Sequence, residues 1–307
     1  MAQLTEDDDR LHADNGDPWW SETCWFSVDQ PGEDVSVTLY PVFRRPLGIC
    51  SLSVYVWDPA ACEPWAIPYG RAWWHLPFPD GDLDDLELQG LRYRVVEPLQ
   101  RYEVGFRDGD DVAIDLEYVG LRPPNLAFRT DTLGHVDQPC RVTGSIRIGS
   151  RKVEVDTVAM RDRTWAPRPD TVHGRSTAYT YGTASADEQF LVLTSPQGNE
   201  GTMNEGVFRG YLVQDGEAAA LASAMRRVVE RRNGWPVRIE LDVTDGRGRR
   251  LEATGLCRNR LANQANPAQF AWMSMTAWTS NRGDQLGEDQ EVWSPDLLGP
   301  PLLALDT

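Results

Sequence analysis

Basic residues are in deficit in this sequence. Its 307 residues include 30 Lys and Arg against 47 Asp and Glu, a formal net charge of −17. A nucleic-acid binder neutralises phosphates with Lys and Arg, so the deficit excludes nucleic acid as a partner. It also opposes docking on anionic membranes. An acidic surface that keeps the chain soluble accounts for the charge. Long apolar runs are missing too: no window approaches the roughly 18 residues that a spanning helix needs, so no membrane insertion is expected. The start, MAQLTEDDDRLHADNGD, has neither the basic segment nor the apolar stretch of a secretory signal. The five cysteines (Cys24, Cys50, Cys62, Cys140, Cys257) are widely spaced with no CxxC pair, which suits a reducing, cytoplasmic setting. Four histidines without a nearby cysteine cluster argue against zinc. GxSxG, phosphate-loop and dinucleotide patterns are absent, and no cofactor is expected.

What remains is β pattern. Hydrophobic residues make up 41% and charged residues 25%, the balance of an ordinary globular chain. The length suggests two units of roughly 150 residues. Val35–Tyr40 and Leu52–Trp57 alternate at period two. Leu91–Val96, Tyr102–Phe106 and Val112–Tyr118 follow, punctuated by turn clusters such as Asp108-Gly109-Asp110. Val142–Ile148 and Lys152–Val158 flank Gly149-Ser150 and read as a hairpin. Thr177–Thr183, Gln189–Thr194, Val207–Val213, Val237–Val243, Arg249–Leu256, Trp272–Ser280 and Gln290–Trp293 continue the series. Ala-rich Glu217–Arg232 places Leu221, Met225, Val228 and Val229 at helical spacing, and reads either as the one helix or as a strand pair with a register break. Short strands at regular spacing predict an all-β fold, two consecutive antiparallel barrel or sandwich halves. Pro167 and Pro169 near the midpoint set the expected halves at 1–158 and 159–307. The tail Pro295–Thr307 reads as an extended strap. Twelve tryptophans fit either core packing or an aromatic-lined cavity.

One segment is sharper than the rest. His135-Val136-Asp137-Gln138, Val142-Thr143-Gly144 and Met160-Arg161-Asp162-Arg163-Thr164-Trp165-Ala166-Pro167-Arg168 resemble a lipocalin-like tandem-barrel family that includes carotenoid hydratases (hydroxyneurosporene synthase). The likeness carries an RDxxWxxR pattern. It implies two lipocalin-like β halves and cofactor-independent chemistry on an apolar, unsaturated substrate. Arg163 stands where such relatives carry histidine, and Ala166 where they carry glycine. Arginine stays charged and cannot shuttle protons, so no acid–base role carries over to position 163.

Alternation along a strand puts Asp162 on one face and Arg161, Arg163 and Trp165 on the other. Asp162 then reads as a proton donor, or as part of an ion-pair network tying the two barrels together. His135 is a candidate general acid or base. Trp165 can stabilise a developing carbocation, and Arg168 can grip a carboxylate or enolate oxygen. Arg163 and Gln138 are candidate substrate contacts. Tyr179 and Tyr181 share a strand face, with Tyr181 a candidate proton relay, and Trp74 reads as a cavity wall beside Trp73 and His75. Glu205, Glu288 and Glu291 read as solvated. The expected partner is a hydrophobic small molecule, of isoprenoid or polyketide kind, in an aromatic-lined barrel pocket; a homodimer is among the assemblies the sequence allows. Three functions fit: a hydratase, isomerase or cyclase using acid–base groups; a non-catalytic carrier of a hydrophobic ligand; and a pericyclase-like cyclase working by shape and hydrogen bonds.

Overall fold

The computed structural model describes residues 4–130, 132–169, 176–194, 203–205, 207–266 and 269–294. The expected strap at Pro295–Thr307 lies outside them. The chain divides into two compact units, one of residues 1–57 and 64–169, the other of 58–63 and 170–307. Both are built of antiparallel strands, so the fold is all-β. No helix among the described residues is long and apolar enough to cross a membrane.

The first unit holds β1 (Trp20–Gln30), β2 (Val35–Arg44), β3 (Ile49–Trp57), β4 (Tyr69–Pro77), β5 (Asp85–Leu88), β6 (Leu91–Glu97), β7 (Arg101–Asp108), β8 (Val112–Gly120), β9 (Asn125–Arg129), β10 (Gly134–Ile148) and β11 (Arg151–Pro167). They form one sheet in the order β4-β3-β2-β1-β11-β10-β8-β7-β6-β5, with β9 on β10. The expected hairpin at Gly149-Ser150 joins β10 to β11, and Gly149 supplies its left-handed turn (φ +55°). Alternate residues of these strands, among them Phe26, Val37, Leu39, Val54, Val104, Ile114 and Val142, pack one hydrophobic core. The expected boundary at 158/159 falls inside β11. Residues 161–167 pair with β1 in the first sheet, so the first unit extends to Pro169.

The second unit holds β12 (Ser176–Thr183), β13 (Gln189–Thr194), β14 (Met203–Glu205), β15 (Val207–Gln214), β16 (Glu217–Arg232), β17 (Trp235–Asp245), β18 (Arg250–Cys257), β19 (Leu261–Asn266), β20 (Gln269–Ser280) and β21 (Gly283–Trp293). The path β16-β15-β13-β12-β21-β20-β18-β17 returns to β16 through a β16–β17 pairing and closes an eight-stranded barrel. Closure satisfies the ladder groups that an open edge leaves unpaired. The helix expected over Glu217–Arg232 is therefore the single strand β16. Its alanines favour a helix, but pairing with strands on both sides overrides that preference. Ala224, Arg226 and Val228 are buried at period two, and bulges at Leu221/Ser223 and Val228/Glu230 absorb the irregular pattern.

Candidate active site

Strand β11 turns two different faces to its surroundings. Arg161, Arg163 and Trp165 point to the core side. Arg161 is buried and binds Asp9 Oδ1 at 2.7 Å and Gln138 Oε1 at 3.1 Å. Its guanidinium lies 3.8 Å from the Tyr102 ring centroid, and the Tyr102 hydroxyl donates to Asp9 Oδ2 at 2.8 Å. Arg163 pairs with Glu22 at 2.7 Å. His12 bonds the same carboxylate at 3.0 Å and stacks on Trp165 with centroids 4.3 Å apart. Trp165 also packs with Trp20 and Val136. These ion pairs lie wholly within the first unit, so the expected network tying two barrels together is instead an internal one. Arg163 and Gln138 are committed to it: Gln138 also donates to the carbonyls of Leu99 (2.8 Å) and Arg122 (2.9 Å). Burial pushes the nearby Cys24 thiol up to about 12, leaving it protonated and a poor nucleophile.

The other face gathers titratable groups. Asp162 is directly opposite Asp137 on β10 and Trp25 on β1. Thr164 is opposite His135 in the adjacent row. His135 Nδ1 lies 2.5 Å from Thr164 Oγ1 and its Nε2 lies 3.1 Å from Asp137 Oδ1. Arg168 Nη1 donates to the Tyr40 hydroxyl at 3.3 Å, and Tyr40 meets Trp25 edge-on at 5.0 Å. Burial raises the Asp162 carboxyl to about 6; Asp137 adds to the rise, while His135, Arg168 and Arg161 hold it back. For His135, burial opposes the charged form, but the Asp137 carboxylate outweighs it and the imidazole titrates above its ordinary range. Near neutral pH the imidazole thus holds a proton it can give up beside a carboxylate that can take one.

The remaining candidates sit elsewhere. Tyr179 and Tyr181 belong to the second unit. Their rings contact at 6.1 Å, and the Tyr181 hydroxyl donates to Glu288 Oε2 at 3.5 Å. Thr180 faces the barrel interior with Asp289, so both tyrosines point outward rather than into a barrel pocket. Trp74 is exposed on β4, separated from β1 by β3 and β2; Trp73 instead packs towards Phe106 in the core. A surface cleft of about 740 Å³ includes Tyr69, Arg71 and Asp111, and one of about 470 Å³ includes Met225, Asp242 and Arg250. None of the nine predicted site residues lines either cleft.

Sequence reasoning missed the barrel's charged interior. Arg226 binds Asp289 through two bonds of 2.8 and 2.6 Å and Glu291 at 2.9 Å, and Arg231 binds Glu291 at 2.7 Å. Glu288 and Glu291 are buried, not solvated; the Glu205 side chain lies outside the described set. Glu288-Asp289-Gln290-Glu291 is polar at every position, so no alternation in the sequence marked Asp289 and Glu291 as the pair that meets Arg226. Trp25, Tyr40, Asp9, His12 and Glu22 were also missed, because their partners are distant in sequence.

Residues 5–288 match the family model described as a domain of unknown function, DUF7064. The chain belongs to this family. Among solved structures it is similar to kievitone hydratase from Nectria haematococca (10% identity, TM-score 0.61, covering 89% of each chain). It is also similar to a protein from Nitrosomonas europaea provisionally assigned as AttH (12% identity, TM-score 0.59, covering 89% of this chain and 91% of that one). CghA, solved with Sch210972, matches at 11% identity and TM-score 0.56, covering 90% and 88%. At these identities the likeness is one of fold: a two-part β architecture. No curated protein matches the sequence.

Proposed function

We propose that this chain is an enzyme of the lyase or isomerase class, a hydratase, isomerase or cyclase acting on an apolar unsaturated substrate of isoprenoid or polyketide kind. The carrying observation is the grouping of Asp162, Asp137 and His135 on one face of β10 and β11. The protonated His135, oriented by Asp137, delivers a proton to the alkene, and the Asp162 carboxylate accepts one from the attacking water or from the carbon that re-forms a double bond. A carboxylate and an imidazole suffice for both transfers, so the reading calls for no cofactor. The fold shared with kievitone hydratase supports it. Tyr181 with Glu288 is a further donor–acceptor pair available in the second unit. The test is incubation of the purified chain with a panel of polyenes, terpenoids and polyketides, with mass detection of added water or of an isomer. Turnover that survives Asp162→Asn unchanged would overturn the assignment of the base.

A further inference from the structure

Trp25 carries a polar group that the acid–base reading does not use. Its side chain is buried, and its indole N–H has no acceptor among the described residues. A buried donor without a partner costs about 1–3 kcal/mol, so such a group in a candidate site points to an absent acceptor. Its position is specific. Trp25 is the direct cross-strand neighbour of Asp162 on β11, and adjacent strands lie about 4.8 Å apart. On its other side Tyr40 meets the indole edge-on and accepts a hydrogen bond from Arg168 Nη1. The Arg168 charge bears on both Asp162 and His135. Tyr40, Trp25, Asp162 and Asp137 thus form one row across β2, β1, β11 and β10, with Arg168 alongside.

We propose that Trp25 and Arg168 form a two-donor oxygen site beside Asp162, and that the substrate is a conjugated carbonyl compound whose carbonyl oxygen sits there. Tyr40 is the positioning residue that orients Arg168. The inference rests on the acid–base reading above and names its substrate class. In such a substrate, water attacks the β carbon and forms a C–O bond while the C=C π pair moves towards the carbonyl as an enolate. The Trp25 N–H and the Arg168 guanidinium hold the developing oxyanion. The water's proton passes to the Asp162 carboxylate, and the α carbon takes the His135 proton as the enolate collapses. Return of the Asp162 proton to His135 restores both groups, for a net addition of water with no oxidant or reductant. An isolated alkene offers no oxygen to this pair.

The test compares benzylideneacetone with propenylbenzene, its analogue of similar shape without a carbonyl, on the full chain. The wild type is expected to bind the ketone about tenfold more tightly, and to move the bound carbonyl stretch to lower frequency in difference infrared spectra. Trp25→Phe keeps the ring and removes the donor; Arg168→Met keeps the stem and removes the charge. Each should lower the preference about three- to tenfold and reverse part of the frequency shift. Tyr40→Phe should give a smaller change of the same sign. Equal binding of the two probes, or an unshifted carbonyl, overturns the proposal in the wild type alone, whatever the variants' folding. The same measurement on Asp162→Asn separates the two readings. A retained carbonyl shift with turnover independent of Asp162 leaves the oxygen site standing and removes the acid–base assignment.

Discussion

Asp162 on β11 faces Asp137 on β10 directly across the ladder, so two carboxyl groups share one patch. Like charges this close resist simultaneous ionisation. His135 resolves the conflict unevenly, because its ring bonds Asp137 at 3.1 Å. Asp137 gains a charge partner through that bond, whereas the Asp162 carboxyl makes no hydrogen bond among the described residues. With Asp162 near 6 and His135 above 6.5, the imidazole holds its proton more firmly than the Asp162 carboxyl, and the two titrate as a coupled pair.

Asp162 should lower stability at neutral pH. Its folded-state value of about 6 lies above the ordinary 3.8, so the folded chain holds this proton more tightly than the unfolded one. The stability it contributes is fully present below about pH 4 and lost as pH rises through about 6. Asp162→Asn cannot ionise. Urea denaturation should find it more stable than wild type by about 1–2 kcal/mol above pH 6, with the difference closing towards pH 4. Destabilisation at neutral pH would instead show that the carboxylate is a structural partner.

His135→Gln should act in the same pH window through a different group. The imidazole is raised above 6.5 in the folded chain, so its stabilisation is present below that value and lost as pH rises through the folded one. The variant should lose stability in mild acid and little at alkaline pH. Because the His135 charge holds Asp162 down, the variant's Asp162 should titrate above about 6, which carbon NMR of the carboxyl can follow. An unchanged Asp162 midpoint would mean the two groups are uncoupled.

The parts of this fold legible in the sequence are those with local causes. Gly149 has a left-handed turn to make (φ +55°). Asp245 caps its own turn, accepting from the amides of Arg247 and Arg249 at 2.9 Å, and the Gly149 hairpin could be read directly. Strand β1 could not: all but its last residue are buried, and Trp-Ser-Glu-Thr-Cys-Trp gives no apolar alternation. Its Glu22 is inside because it meets Arg163, 141 positions away. Asp162 and His135 could be singled out by residue type and strand parity. Asp137 was quoted only as part of a motif, since its importance comes from register between β10 and β11.

The Arg161–Asp9 pair should be costly to break and cheap to replace. Both side chains are buried and joined at 2.7 Å, and Asp9 also takes bonds from Tyr102 and the Leu99 amide. Asp9→Ala strands a buried guanidinium and should cost about 3–5 kcal/mol by denaturant titration. Asp9→Leu combined with Arg161→Met removes both charges and should recover most of that loss. A double variant as unstable as the single one would place the energy in the other Asp9 bonds.

Gly134 should tolerate no side chain. A Cβ there would lie 2.2 Å from Trp165 Cζ2, so Gly134→Ala must push the indole and the His12 ring stacked on it. The expected cost is about 1–3 kcal/mol, with a change in tryptophan emission. Gly149 is the contrast: it has open space around it and a positive φ, so Gly149→Asn, which visits that conformation readily, should be close to neutral.

Arg226 should be the residue on which the barrel depends most. It neutralises Asp289 and shares Glu291 with Arg231 inside a closed wall. Arg226→Met leaves Asp289 with the Thr180 hydroxyl at 2.6 Å as its remaining side-chain partner among the described residues, and should destabilise by about 3–5 kcal/mol at neutral pH. The wild-type pH dependence has a definite sign. Burial opposes ionisation of Glu291, but Arg231 and Arg226 outweigh it and lower the carboxyl below 4.5. Its stabilisation is therefore present above 4.5 and lost as pH falls through the folded value. The variant should be least impaired in acid, where the wild type loses the Glu291 stabilisation that Arg226 supports. Thermal melts of both proteins from pH 7 down to about pH 4 should thus converge. Curves that stay parallel would assign the loss to packing of the arginine stem and not to its charge.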